Sequence, residues 1–367
     1  MEKKATPFLP LEMIIQILLW LPVKSLIRFK SVCKLWFSVI SDPNFANSHF
    51  LLAQTNSTRI VSISAAPPQI RSIDFEALLN DGSASPNPNL WLPQSYFPLQ
   101  MKGSCRGFIF LHCSSNNYLW NPSTGFHKQI PLSPIDSRFG AYFHYLYGFG
   151  YDQSRDDYLV VLLSYDPAVP AHFKSHLEIF SLTDNTWKKI EDTRIPYRGH
   201  YYYYYYPKVG LLFNGAIHWL VTHHGSSVTV IVAFDLMERK LLEITLPYSF
   251  VGHHCVSDIG LWVFGEFLSL WAMTDGIVEI WVMKQFTVHY SWTKTHVFPI
   301  GAIPYFSPIY STKNGDIIGT IDGTGLVKYN GQGQMLGHCS YCDDPRGSQV
   351  VMYTESLLSL PGDHEQV

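Results

Sequence analysis

The sequence predicts a small N-terminal all-α module of three helices, followed by an all-β propeller of about six blades, with five or seven also fitting. Three observations lead there. Apolar residues crowd the stretch from 9 to 45 at helical spacing. Beyond residue 50 the runs become strand-like and are separated by turn signals. An aromatic-led hairpin pattern then recurs through the rest of the chain.

Pro10 suits the first turn of a helix, where its missing N–H costs nothing, and Pro22 ends that helix and opens the next. A second helix is expected from Val23 to about Phe29. A third, Val32 to Ile40, would set Val32, Leu35, Trp36 and Val39 on one face, with Ser41-Asp42-Pro43 ending it. The first helix is apolar almost all round: Leu11, Met13, Ile14, Ile15, Ile17, Leu18, Leu19, Trp20 and Leu21, with Glu12 and Gln16 interrupting. Such a helix near a chain end is expected to lie between its own fold and a partner. Met13 to Leu21 is nine residues, against the roughly 20 that a membrane span needs. Lys3 and Lys4 imitate a signal-peptide start, but no Ala-x-Ala site follows. We expect no membrane role.

The segment Leu9-Pro10-x-Glu12, Ile17-Leu18-x-x-Leu21-Pro22-Val23-Lys24-Ser25-Leu26, Phe29-Lys30-x-Val32-Cys33-Lys34-x-Trp36 resembles the F-box, without a gap. The resemblance implies docking on a Skp adaptor and, through it, association with cullin and RING subunits. It points to Leu9, Pro10, Ile14, Ile17, Leu18, Leu21, Pro22, Leu26, Val32, Cys33 and Trp36 as adaptor contacts, some of which would instead be internal core.

The all-β body is expected over residues 59–360, after the helical module at 1–50 and a linker at 51–58, with a tail at 361–367. Tyr158–Leu163, Val228–Phe234 and Ile277–Val282 are rich in β-branched and aromatic residues. Turn signals fall between the runs, Asn214-Gly215 of the type I′ hairpin kind among them. One weak helix is expected at Ile73–Leu79, and an irregular loop from Asp81 to Pro98. The repeat runs Trp120…Phe126, Phe180…Trp187, Phe234…Leu241, Trp281…Trp292 and Tyr329…Leu336, its leading aromatics 60, 54, 47 and 48 residues apart. A blade cannot bury both faces alone, so neighbours must pack around an axis.

Gly103-Ser104-Cys105-Arg106-Gly107-Phe108 with Leu119-Trp120-Asn121-Pro122-Ser123-Thr124-Gly125 resembles the opening of the F-box-associated domain of plant proteins. So do Tyr147-Gly148-Phe149-Gly150-Tyr151-Asp152 and Asn214-Gly215-Ala216-Ile217-His218-Trp219. Pollen S-locus F-box proteins are relatives of this family. The double-Gly signature of true kelch repeats is missing. Trp219 is expected to pack between blades, and Gly148 and Gly150 to let a backbone approach closely.

Composition narrows the function. Charged residues make up 15% and the net charge is −3, with residues 1–50 at +3 and the remainder at −6. The body therefore lacks the clustered cations that phosphate binding needs, and no nucleic-acid partner is expected. Six cysteines without a secretory signal argue for free thiols in a reducing compartment, hence cytoplasm or nucleus. His338-Cys339-Ser340-Tyr341-Cys342 holds one Cys-x-x-Cys, and a closed zinc site usually takes two such pairs; His253-His254-Cys255 and His223-His224 read as ordinary loop histidines. No metal, cofactor or catalytic residue is expected. Tyr201, Tyr202, Tyr203, Tyr204, Tyr205 and Tyr206 stand out as a target-binding surface or as an alternating strand. The implied function is the target-recognition subunit of a Skp–cullin–F-box ubiquitin ligase that acts on an unknown protein by proximity. A non-degradative F-box scaffold and a glycan-binding propeller are the alternatives.

Overall fold

The computed structural model describes residues 9–53, 58–65, 68–81, 99–113, 116–135, 144–165, 175–190, 197–198, 209–223, 228–247, 250, 259–286, 291–300, 306–344 and 347–362. Four helices come first: α1 (Leu11–Leu19), α2 (Val23–Phe29), α3 (Lys34–Ser41) and α4 (Pro43–Ala53). The three expected helices are present, and α4 is an addition. Asp42 caps it, accepting from the Asn44 and Phe45 amides at 2.8 and 3.1 Å, and Pro43 takes the first helical position. The Asp-Pro pair read as a stop is also a start. The helix runs through residues 51–53 and a strand begins at Thr58, so both described edges of the expected 51–58 linker belong to elements.

Six sheets follow. Blade A holds β1 (Thr58–Ala65) and β2 (Pro68–Ile73), then α5 (Phe75–Asp81), the expected weak helix, capped by Asp74. Blade B is β3 (Gln100–Cys105), β4 (Phe108–Cys113), β5 (Asn116–Trp120) and β6 (His127–Ile130). Blade C is β7 (His144–Asp152), β8 (Asp157–Tyr165), β9 (Ser175–Ser181) and β10 (Thr186–Ile190). In blade D, β11 (Tyr197–Arg198) and β12 (Leu211–Phe213) share the inner edge of β13 (Ala216–His223), followed by β14 (Thr229–Asp235) and β15 (Lys240–Thr245). Blade E is β16 (Ile259–Phe264), β17 (Phe267–Thr274), β18 (Ile277–Met283) and β19 (Trp292–Pro299). Blade F is β20 (Phe306–Ser311), β21 (Ile317–Ile321), β22 (Gly325–Tyr329) and β23 (Met335–Ser340). The last strand, β24 (Ser348–Thr354), returns to blade A and pairs antiparallel with β1, from Thr58 opposite Thr354 to Ser64 opposite Ser348. Each end of the chain thus supplies part of one blade, and the ring closes.

Apolar clusters fill every seam: A with B around Trp120 and Tyr353, B with C around Phe110 and Phe149, and C with D around Trp219 and Phe234. The remaining three are D with E around Leu270 and Trp281, E with F around Phe298 and Tyr329, and F with A around Phe75 and Ile318. This explains the continuous apolar runs. In β8, Tyr158, Val160 and Leu162 face blade B while Leu159, Val161 and Leu163 face blade D, so both sides of the strand are buried. The five repeat aromatics Trp120, Phe180, Phe234, Trp281 and Tyr329 all lie buried on the third strand of a blade. Blade A, split between the two chain ends, has no copy of the repeat.

Close approach sets the C–D seam. A Cβ on Gly148 would lie 2.4 Å from Ile217 Cγ2 and 2.8 Å from Trp219 Cζ2, so only glycine lets the Trp219 ring lie against β7. Trp219 Nε1 there donates to the Tyr147 carbonyl at 2.9 Å. Asn214 and Gly215 both take positive φ, 46° and 71°, as a type I′ turn demands.

Within blade D, His218 is buried beside the rings of Phe213 and Phe286, its Nδ1 3.3 Å from the Leu211 carbonyl. Burial pushes its pKa down to about 4, against the smaller upward pull of the Leu211 and Ala216 backbone groups. An unfolded imidazole protonates near pH 6.5, so its folded form resists the proton until about pH 4. Stability from this group is complete above about pH 6.5 and falls by roughly 3 kcal/mol on acidification to pH 4. His218→Phe is expected to flatten that window in urea unfolding at pH 7.5, 5.5 and 4.5. An unchanged pH slope in the variant would assign the loss to other groups.

Candidate protein-docking face

The apolar stretch of α1 separates into two stripes. Leu18 is fully buried and packs with Leu26, Ile40 and Phe45, while Ile14, Ile15, Leu19, Leu21, Phe29, Trp36 and Val39 lie half-buried around them. His49 Nε2 lies 2.8 Å from the Leu21 carbonyl, tying the end of α1 to α4. Met13, Ile17 and Trp20 fall on the opposite side at i, i+4, i+7 and remain 52%, 51% and 73% exposed. A second exposed apolar set comprises Val32 and, on α3, Leu35 and Phe37, with Leu9 and Leu11 at the start of α1 also exposed. The Lys30 ammonium sits 6.0 Å from the Phe37 ring centroid, and burial lowers its pKa.

The eleven residues expected at the adaptor therefore divide. Leu9, Pro10, Ile17, Pro22, Val32 and Cys33 are exposed, and Ile14, Leu21 and Trp36 are half-buried. Leu18 and Leu26 are fully buried and are the members of the set that fall in the internal core, as some were expected to. The third helix also begins later than expected, with Cys33 as its extended N-cap, so Val32 precedes it and Leu35 turns outward. The adaptor contacts named from the sequence leave out Leu11, Met13, Trp20, Leu35 and Phe37, all of which are exposed. The signal that could have added Met13 and Trp20 to Ile17 was their i, i+4, i+7 periodicity, hidden because the inward stripe is equally apolar.

Elsewhere, Tyr201–Tyr206 lie outside the described residues. Cys339 is half-buried on β23 and Cys342 is buried beyond it, while His338 is exposed. Among the described residues no three His, Cys, Asp or Glu side chains are grouped to hold a metal ion. His253, His254, Cys255 and His224 lie outside the described residues, and His223 Nε2 sits 3.1 Å from a Glu243 carboxylate oxygen. No described helix is long and apolar enough to cross a membrane.

The antiparallel order of the blades decides what faces what. In blades B to F the turns joining the first two and the last two strands emerge on one rim, and the connections between second and third strands and from blade to blade leave from the opposite rim. Helix α4 packs on the first rim: Ala46 and Phe50 join the cluster of Phe108 and Phe149, and Asn47 meets Arg106 of the β3–β4 turn. The strand ends at 165 and 175, 190 and 197, and 245 and 259 lie on the other rim, whereas α5, from which the chain runs on to β3, follows the first-rim end of β2.

Comparison with known proteins agrees with this two-part plan. Residues 7–48 match the F-box domain family and residues 53–316 the F-box associated beta propeller domain family. The F-box/kelch-repeat protein At3g23880 of Arabidopsis thaliana is 30% identical over 88% of this chain and 87% of its own. The F-box protein CPR1 of the same plant is 25% identical over 97% of this chain and 90% of its own. With a bare apolar stripe on the helical module and a closed six-bladed ring behind it, the chain belongs to the plant F-box proteins that carry an F-box associated β-propeller domain.

Proposed function

We propose that this protein is the target-recognition subunit of a Skp–cullin–F-box ubiquitin ligase. An F-box domain implies binding to a Skp adaptor, and F-box proteins are generally non-catalytic adaptors. The observation that carries the reading is the exposed Met13–Ile17–Trp20 stripe on a module packed against one rim of the propeller. Burying such side chains contributes about 1.5–3 kcal/mol each, which suits them to a partner. The adaptor would bring the cullin and RING subunits to that rim. The opposite rim, where the strand ends at 165 and 175, 190 and 197, and 245 and 259 lie, would hold a target protein, and Tyr201–Tyr206 would contribute to its binding.

In this reading the chain performs no bond chemistry. It raises the local concentration of the target's lysines near the ubiquitin donor. The place of action is the cytoplasm or nucleus. The test is capture of the full chain by a recombinant Skp adaptor, followed by capture of cellular proteins with the ligase inhibited so that targets persist. Stoichiometric adaptor binding is expected, with captured proteins becoming ubiquitinated when inhibition is released. A folded chain that binds no adaptor would overturn the reading.

A further inference from the structure

Two sequence phrases that adaptor docking leaves unexplained, Gly103–Phe108 and Leu119–Gly125, meet at one place. Arg106 and Gly107 form the β3–β4 turn with φ of 49° and 82°. The Arg106 guanidinium lies 5.3 Å from the centroid of the Phe50 ring on α4 and 4.2 Å from that of Tyr151 on β7. Its Nη2 donates to Asn47 Oδ1 at 2.8 Å. One planar cation thus contacts the last F-box helix and blade C at once, through two rings and a hydrogen bond.

The second phrase secures the other side. Asn121 is fully buried, and its Nδ2 donates to the carbonyls of Ser356 at 3.0 Å and Leu358 at 3.4 Å. The Ser356 amide donates to Ser123 Oγ at 3.1 Å. So held, the segment after β24 places Leu357 against the F-box core and Leu358 and Leu360 beside Ala46 and Phe50. A Cβ on Gly107 would lie 2.2 Å from Ser356 Cβ, so the turn is closed on that segment. Helix α4, the two blade B turns and residues 355–360 therefore share one joint. A covalent connection alone leaves a module free to pivot, whereas contacts from three segments distant in sequence remove that freedom.

We propose that Arg106 is a positioning residue that locks the F-box to the propeller as one rigid body. It thereby sets the direction in which a target on the far rim faces the ubiquitin donor. The inference rests on the ligase reading for its purpose, though not for its geometry.

The test is the distance distribution between two spin labels, carried on ketone-bearing residues at Asn44 and Lys313, in the full chain with and without the Skp adaptor. The parent chain is expected to show one narrow distribution. Arg106→Ala should broaden it at least twofold while adaptor capture stays within twofold of the parent. Arg106→Lys, which keeps the charge but loses the planar fork, should recover part of the narrowing. Phe50→Leu retains apolar burial without the ring and should broaden the distribution too; it carries the test if Arg106→Ala does not melt cooperatively. Lys294→Ala removes a cation 4.9 Å from the Trp281 ring in blade E, far from the joint, and should leave the width unchanged. Distributions as narrow as the parent's in both joint variants, or equal broadening by Lys294→Ala, would overturn the proposal. Failure of the parent to capture the adaptor would instead count against the ligase reading, because the widths are measured on the free chain as well.

Discussion

Ile17→Asp is expected to abolish adaptor capture while leaving the chain folded. Ile17 is 51% exposed and lies between Met13 and Trp20 on the bare stripe, so the free protein has little to lose there. The complex loses about 1.5–3 kcal/mol of apolar burial and must desolvate an unpaired carboxylate. Together these cost roughly 4 kcal/mol or more, about a thousandfold in affinity. Leu18→Asp is the contrasting control. Its side chain is fully buried among Leu26, Ile40 and Phe45, and even Leu→Ala at such sites costs about 2–5 kcal/mol. Both variants should fail to bind, but only Leu18→Asp should lose the helical module in circular dichroism and hydrogen exchange. Wild-type affinity in a folded Ile17→Asp chain would remove the stripe from the docking face.

A chain ending at Asp344 is expected not to fold cooperatively. Truncation there removes β24 and leaves blade A with two strands and an unpaired edge on β1. It also strips Tyr353 from the A–B seam and takes Leu358 and Leu360 from beside Ala46 and Phe50. Those three side chains alone are worth about 5–9 kcal/mol of apolar burial, comparable to the roughly 5–15 kcal/mol that keeps a domain folded. Loss of the sharp thermal transition and binding of a hydrophobic dye would report the failure. A truncated chain with the parent's melting temperature would show that the other five blades close without the C-terminal strand.

Much of this organisation was legible in the residues because local chemistry carried it. Pro10 and Pro22 bound α1 and open α2 by removing donors, whatever surrounds them. The aromatic-led hairpins marked the third and fourth strands of five blades, since Trp120, Phe180, Phe234, Trp281 and Tyr329 each enter a seam. Phrases such as Asn214-Gly215 located turns through their need for positive φ. The family of the N-terminal module was equally plain, because its motif is contiguous.

Other features left no local trace. Leu18 and Ile17 are adjacent, similar in size and both apolar, yet one fills a core and the other faces solvent. Only the packing of α2, α3 and α4 against one side of α1 separates them. Asp42-Pro43 suits a helix end and a helix start equally, and α4 exists because Ala46 and Phe50 find an apolar surface on blades B and C. The pairing of β1 with β24 joins segments near opposite ends of the chain, so no periodicity announces it. Arg106 likewise reads as one cation in a turn until Phe50, Tyr151 and Asn47 are brought around it. Short-range sterics and hydrogen-bond supply dictate where helices, strands and turns fall. Which face is buried, how the ring closes and how the helical module is held follow from contacts between distant segments.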